Sequence, residues 1–296
     1  MPSSKPDLLA TLGWLVDAGA DEAVHESPVD HFAAKGNDGH SARLPRRGEP
    51  NAPGPRPDEP SAVRMQFPRA AARVAYKAPG TTAESGDAIG TAIATAAACN
   101  SLVELRAALE AFDDCALKKS ATKTVFADGT PRNGIMLIGE APGREEDIAG
   151  LPFVGRAGKL LDKMLASVGL DRATNAYITN VINWRPPGNR DPSPEEAASC
   201  LPFLRRHIEL VSPSIIILLG AVAARHVMGR TDGIMRLRGK WLEYYVNGRM
   251  IPVMPTLHPA YLLRRSIDKK LAWRDLQEIS EKVNSLGLLE ERAERG

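Results

Sequence analysis

From residue 115 onward, short apolar runs alternate with helix-like stretches, and that alternation leaves few architectures open to the chain. Ile135–Ile138, Ala176–Thr179, Ser214–Leu219 and Met250–Met254 have the length and composition of buried strands. Between them lie helical patterns. Leu160, Leu161, Met164, Leu165 and Val168 share one face, and Trp273, Leu276, Ile279 and Val283 stripe another. Ser193-Pro194-Glu195-Glu196 is a capping box with proline at the first helical position, predicting a helix to about Leu210. Ala221–Met228 follows Gly220 directly. Such alternation predicts a three-layer α/β/α fold with a central, mainly parallel four-stranded sheet.

The first hundred residues read differently. Asp7–Val24 is one amphipathic helix, with Leu8, Leu12, Leu15 and Val16 on a shared face. Residues 45–60 hold six prolines and two glycines, too few apolar side chains to offset the entropy of ordering. The expected organisation is a helical segment over 1–32, a disordered linker over 33–87 and the α/β domain over 88–296. Ala88–Leu109 is alanine-rich and helical in character.

Bulk properties narrow the class only slightly. The net charge of +2 over 296 residues argues for no strong overall field. The basic stretch 225–249 reads as solvated surface. Three cysteines are too few for a disulfide framework and imply a reducing compartment. The start MPSSKPD shows no signal pattern, and the longest apolar run, Ile215–Ala224, is too short to span a bilayer. The expectation is a cytoplasmic monomer that engages no membrane.

In open α/β sheets, ligands bind outside the carboxyl ends of the strands. Glu140, Asn180, Gly220 and His258 all fall at or just past such ends. Gly139-Glu140-Ala141-Pro142-Gly143 is a tight turn whose glycines allow close approach of backbone to a ligand, and Phe153 follows ten residues after Gly143. Taken singly, Glu140 could cap the next helix, Phe153 could be core, Asn180 could brace a turn and His258 could be an ordinary loop residue. Their joint placement is what marks a site. No GxGxxG or P-loop follows the first strand, which counts against a nucleotide-phosphate enzyme.

Three long motifs then carry a resemblance: GEAPGREEDIAGLPFVGRAGKLLDKML, YITNVINWRPPGNRDPSPEEAASCLPFL and TLHPAYLL. Together they resemble the uracil-DNA glycosylase superfamily, nearest to its family-four branch of bacterial and archaeal iron–sulfur enzymes, over roughly residues 112–286. The resemblance implies a monofunctional DNA repair enzyme that flips uracil out of single- or double-stranded DNA and hydrolyses its glycosidic bond. Phe153 would stack on the base, and the Asn180 amide would read its N3–O4 edge. Gly139 and Ala141 would line the pocket. His258 would stabilise the departing base at O2, and Glu140 would position or activate water. Leu262 and Leu263 would wedge into the duplex, and Arg185, Arg190, Arg264 and Arg265 would meet phosphates. A looser pocket would admit other deaminated bases such as hypoxanthine. A non-catalytic DNA-binding relative would have lost Glu140 or His258, and both are present. Residues 185–195 lack the basic insertion ending in histidine of the covalently trapping branch, so turnover is expected.

The chain departs from family four at the metal. Aligned with the four cysteine ligands of that branch are Phe112, Cys115, Trp184 and Cys200. Neither aromatic can bind iron, so the expectation is no cluster and no other metal.

Overall fold

A computed structural model describes residues 83–132 and 134–289. The helix expected within 1–32 and most of the 33–87 linker lie outside the described residues. The linker's last five positions belong to helix α1, Ala83–Ala98. Ser101 caps a second helix, α2, Leu102–Ala111, by accepting the Glu104 N–H at 3.1 Å, so the alanine-rich stretch is broken rather than continuous.

The sheet contains strands β1 (Ala127–Gly129), β2 (Ile135–Gly139), β3 (Ala176–Asn180), β4 (Ile215–Leu219), β5 (Leu242–Val246) and β6 (Arg249–Thr256). Their spatial order is β1-β3-β2-β4-β6-β5. The middle four strands are parallel, as expected, while β1 and β5 add antiparallel edges, so the sheet has six strands and not four. Neither edge is a continuous apolar run. β1 is the three residues Ala-Asp-Gly, and β5 alternates half-buried with exposed side chains. A signal for β5 was present in Asn247-Gly248, whose positive φ values of 48° and 74° make the hairpin turn into β6.

Helices cover both faces, and the two-residue period of the strands divides the core. Met136, Ile138, Tyr177, Ile216 and Leu218 point to one side, under α1, α2 and α5 (Pro194–Val211). Ile135, Leu137, Ile178, Ile215 and Ile217 point to the other, under α4 (Arg156–Ala166) and α9 (Lys269–Ser285). The short α3 (Arg144–Ala149) leads into the first of these, while α6 (Ala221–Met228), α7 (Ile234–Leu237) and α8 (Pro259–Arg264) connect β4 to the last. The Ser193 capping box opens α5 as predicted.

The basic stretch is not uniformly solvated. Arg238 pairs with the fully buried Asp275 of α9, which also accepts from Thr256 Oγ1 at 2.7 Å. A carboxylate taken out of water needs such partners, so this arginine braces the end of β6 and is not surface charge.

Phe112, Cys115, Trp184 and Cys200 all fall within one buried cluster. Phe112 meets Phe203 edge-on at 5.1 Å, Trp184 Nε1 donates to Thr124 Oγ1 at 3.0 Å, and both cysteines are buried.

Candidate active site

Parallel register brings the strand ends to one rim. Gly139 pairs with Asn180 across β2 and β3, and Leu219 pairs with Thr256 across β4 and β6. The backbone keeps this alignment past the strands, since Val181 N–H donates to Gly139 O and Ile182 N–H to Glu140 O, each at 3.0 Å. Glu140 therefore leaves the sheet beside the segment that follows Asn180.

Gly139 has to be glycine. A Cβ there would strike Asn180 Oδ1 and would lie 2.6 Å from the Phe153 ring. The missing side chain lets amide and ring converge on the strand end. Phe153 is buried and its ring centroid lies 5.5 Å from that of His258, tilted by 33°. Asn180 is also buried, and its Oδ1 has no hydrogen-bond partner within the protein. A buried carbonyl oxygen left unpaired costs about 1–3 kcal/mol, so its retention beside an aromatic face points to a ligand that supplies a donor.

His258 caps α8, and its Nδ1 accepts the Ala260 N–H at 3.1 Å. That bond assigns the remaining proton of a neutral imidazole to Nε2. Burial pushes the His258 pKa down to about 4, Arg264 pushes the same way, and Glu146 opposes them. At neutral pH the ring is thus an uncharged donor. Glu140 is half-buried, and burial, with Asp191 nearby, holds its carboxyl above the usual range against the pull of Arg225. Ala141 is half-buried beside it and packs against the apolar core.

The positions expected to meet DNA fare unevenly. Leu262 is fully buried in the core beneath α8, so it cannot be a wedge, whereas Leu263 is exposed. The helical period turns the first inward and the second outward. Arg190 grips Glu196, the capping-box residue of α5, with two bonds of 2.8 and 2.6 Å, so its fork is already occupied. Arg185 Nε donates to Asn189 Oδ1, and Arg265 lies 3.5 Å from Asp268. Arg264 is exposed at the end of α8. Two further side chains escaped the sequence reading. Glu146 and Arg172 both bind the backbone flanking Phe153. The first was legible as the third residue after Gly143, a capping-box position, while nothing local marked the second.

The chain resembles several curated proteins named type-4 uracil-DNA glycosylases. It is 43% identical to that of Archaeoglobus fulgidus over 171 residues, covering 56% of this chain and 85% of the relative. With the Thermotoga maritima protein it shares 44% over 151 residues, 51% of this chain and 77% of the relative. With that of Sulfurisphaera tokodaii it shares 37% over 187 residues, 62% and 84% respectively. The family model described as the uracil DNA glycosylase superfamily matches residues 126–277, which hold every strand from β1 to β6 and all four residues converging on the rim. The chain belongs to the uracil DNA glycosylase superfamily.

Proposed function

We propose that this protein is a uracil-DNA glycosylase of DNA repair, acting as a monofunctional hydrolase. The observation that carries the reading is the buried, unpartnered Asn180 Oδ1, which converges with the Phe153 ring on Gly139, while that ring lies 5.5 Å from the His258 imidazole. An everted uracil stacked on Phe153 presents N3–H to that oxygen and O4 to the amide nitrogen. Cytosine offers an acceptor and a donor in the opposite order and is rejected. As the N1–C1′ bond breaks, its electron pair passes to the base, and His258 Nε2–H donates to the developing charge at O2. Water adds to C1′ and gives its proton to the Glu140 carboxylate, leaving an abasic sugar and the uracil anion; the proton then passes from Glu140 through water to the base, giving free uracil and the starting carboxylate.

The substrate is uracil-containing DNA, met at its phosphates by Arg264, Arg265 and Arg185. The protein works as a cytoplasmic monomer, and among the described residues no helix is long and apolar enough to cross a membrane. The test is release of uracil from an oligonucleotide, followed by alkaline scission at the abasic site. Uracil-containing strands are cut, whereas strands carrying cytosine or hypoxanthine are not. Strands left intact at uracil refute the proposal. Acid reports on Glu140, because a protonated carboxyl accepts no proton. The value of kcat/KM falls as pH drops through an ionisation above the ordinary carboxylate value of 4.5. Glu140→Gln is slow and lacks this limb; a limb persisting in the variant assigns it to another group.

The same enzyme functions without the iron–sulfur cluster of family four. Two of the four aligned positions, Phe112 and Trp184, offer no lone pair to iron, and their rings pack in the buried cluster that also holds Cys115 and Cys200. Protein purified under anaerobic conditions is expected to show no visible iron–sulfur absorption and to keep full activity after chelator treatment. A visible band lost together with activity overturns this.

A further inference from the structure

Phe153 adopts a backbone conformation that a bulky residue rarely takes. Its φ is 54°, in the left-handed region, at a cost of about 1–3 kcal/mol. Such a conformation persists only where the surroundings impose it, and here charged side chains bind the backbone on both sides.

Before the turn, the Arg172 guanidinium donates from Nη1 to Pro152 O at 3.1 Å and from Nη2 to Phe153 O at 2.9 Å. After it, Glu146 Oε1 accepts from Val154 N–H at 3.0 Å and Gly155 N–H at 2.9 Å. Two carbonyls are thus held by a cation and two amides by an anion. Each grip is itself anchored. Arg172 is bound by Asp128 of β1 at 2.9 Å and by Asp162 of α4 at 2.6 Å, while Glu146 Oε2 also accepts Gly143 N–H at 3.1 Å. Gly158 closes the third side, since a Cβ on it would run into the Phe153 carbonyl. The clamp ties the ring to β1, α4 and the turn after Glu140, and so to the frame that carries the rest of the site.

We propose that Arg172 and Glu146 are positioning residues that hold Phe153 in its left-handed conformation and thereby set the affinity for the everted base. This rests on Phe153 being the stacking platform for uracil. Neither residue touches the base. Arg172 needs its planar fork, because one ammonium group cannot span two carbonyls and two carboxylates. Glu146 needs its charge, because an amide in its place gives weaker acceptance of two N–H groups.

The experiment compares the full-length wild type with Arg172→Lys, Glu146→Gln, Phe153→Ala and the two double variants. Amide exchange and uracil-release kinetics are both read. In Glu146→Gln, exchange at Val154 and Gly155 speeds up while β2 and β3 stay protected. In both single variants KM rises about tenfold with a smaller change in kcat, the signature of lost ground-state binding. In the Phe153→Ala background neither clamp substitution adds a further loss. Unchanged exchange at Val154 and Gly155 overturns the proposal, as do equal losses with and without the phenylalanine ring, which mark a general structural role. If the wild type releases no uracil, the functional reading falls separately, and exchange at the two amides alone decides whether the clamp exists.

Discussion

Replacing His258 with alanine is expected to lower kcat for uracil release by about 10²–10³-fold, the cost of deleting one preorganised donor from a site of developing charge. Three features place this effect in the transition state. The Ala260 N–H is bound at Nδ1 and so leaves the proton on Nε2. A pKa of about 4 keeps the ring neutral at working pH, which favours donation to an anion without transferring a proton outright. The ring lies 5.5 Å from Phe153, within reach of one edge of a base stacked there. The ground-state carbonyl of uracil gains less from this donor than the departing anion does, so KM should change little. The substitution also removes the α8 cap, a stability loss of about 0.5–2 kcal/mol that leaves the protein folded. Single-turnover kinetics at saturating enzyme separate the chemical step from binding. A variant that keeps kcat and loses only KM sinks the oxyanion role.

Asn180→Leu is expected to raise stability and abolish useful activity together. Leucine shares the branching of asparagine at Cγ and removes a buried oxygen that has no partner within the fold, so unfolding should shift toward higher denaturant, by about 1 kcal/mol. It also removes both contacts to the N3–O4 edge. Loss of two hydrogen bonds, with uracil's own polar edge left unpaired, lowers kcat/KM by about 10²–10³-fold. Opposite signs are the mark of a residue retained for binding at a cost to the fold. Urea titration of both proteins and their uracil-release rates test the pair of effects. A leucine variant that is less stable and still active would show that the amide serves packing, and the proposed reading of the base edge would fail.

The comparison of sequence with structure is clearest at the sheet. Three of its parallel strands are buried on both faces throughout and β6 over its second half, so each reads as an apolar run and was found within a few residues of its place. Of the edge strands, β1 is only three residues long and β5 alternates half-buried with exposed side chains, so neither carries such a run. Leu262 and Leu263 illustrate the same limit. Both are apolar neighbours after His258, and only the phase of α8 against α4 decides that the first is core and the second exposed. Arg190 and Arg238 look alike in the chain as well, yet one grips a helix cap and the other a buried aspartate.

What the sequence alone determined is the strand–helix alternation and the positions just past the strand ends, because period and punctuation are local properties of a chain. Glu140, Asn180 and His258 were legible for that reason. Only the tertiary structure decided which partners those residues meet. The left-handed turn at Phe153 depends on Arg172, nineteen positions away, and on Asp128 from the edge strand β1. Hydrogen bonds of that kind form between groups that folding brings together, and no stretch of sequence records them in advance.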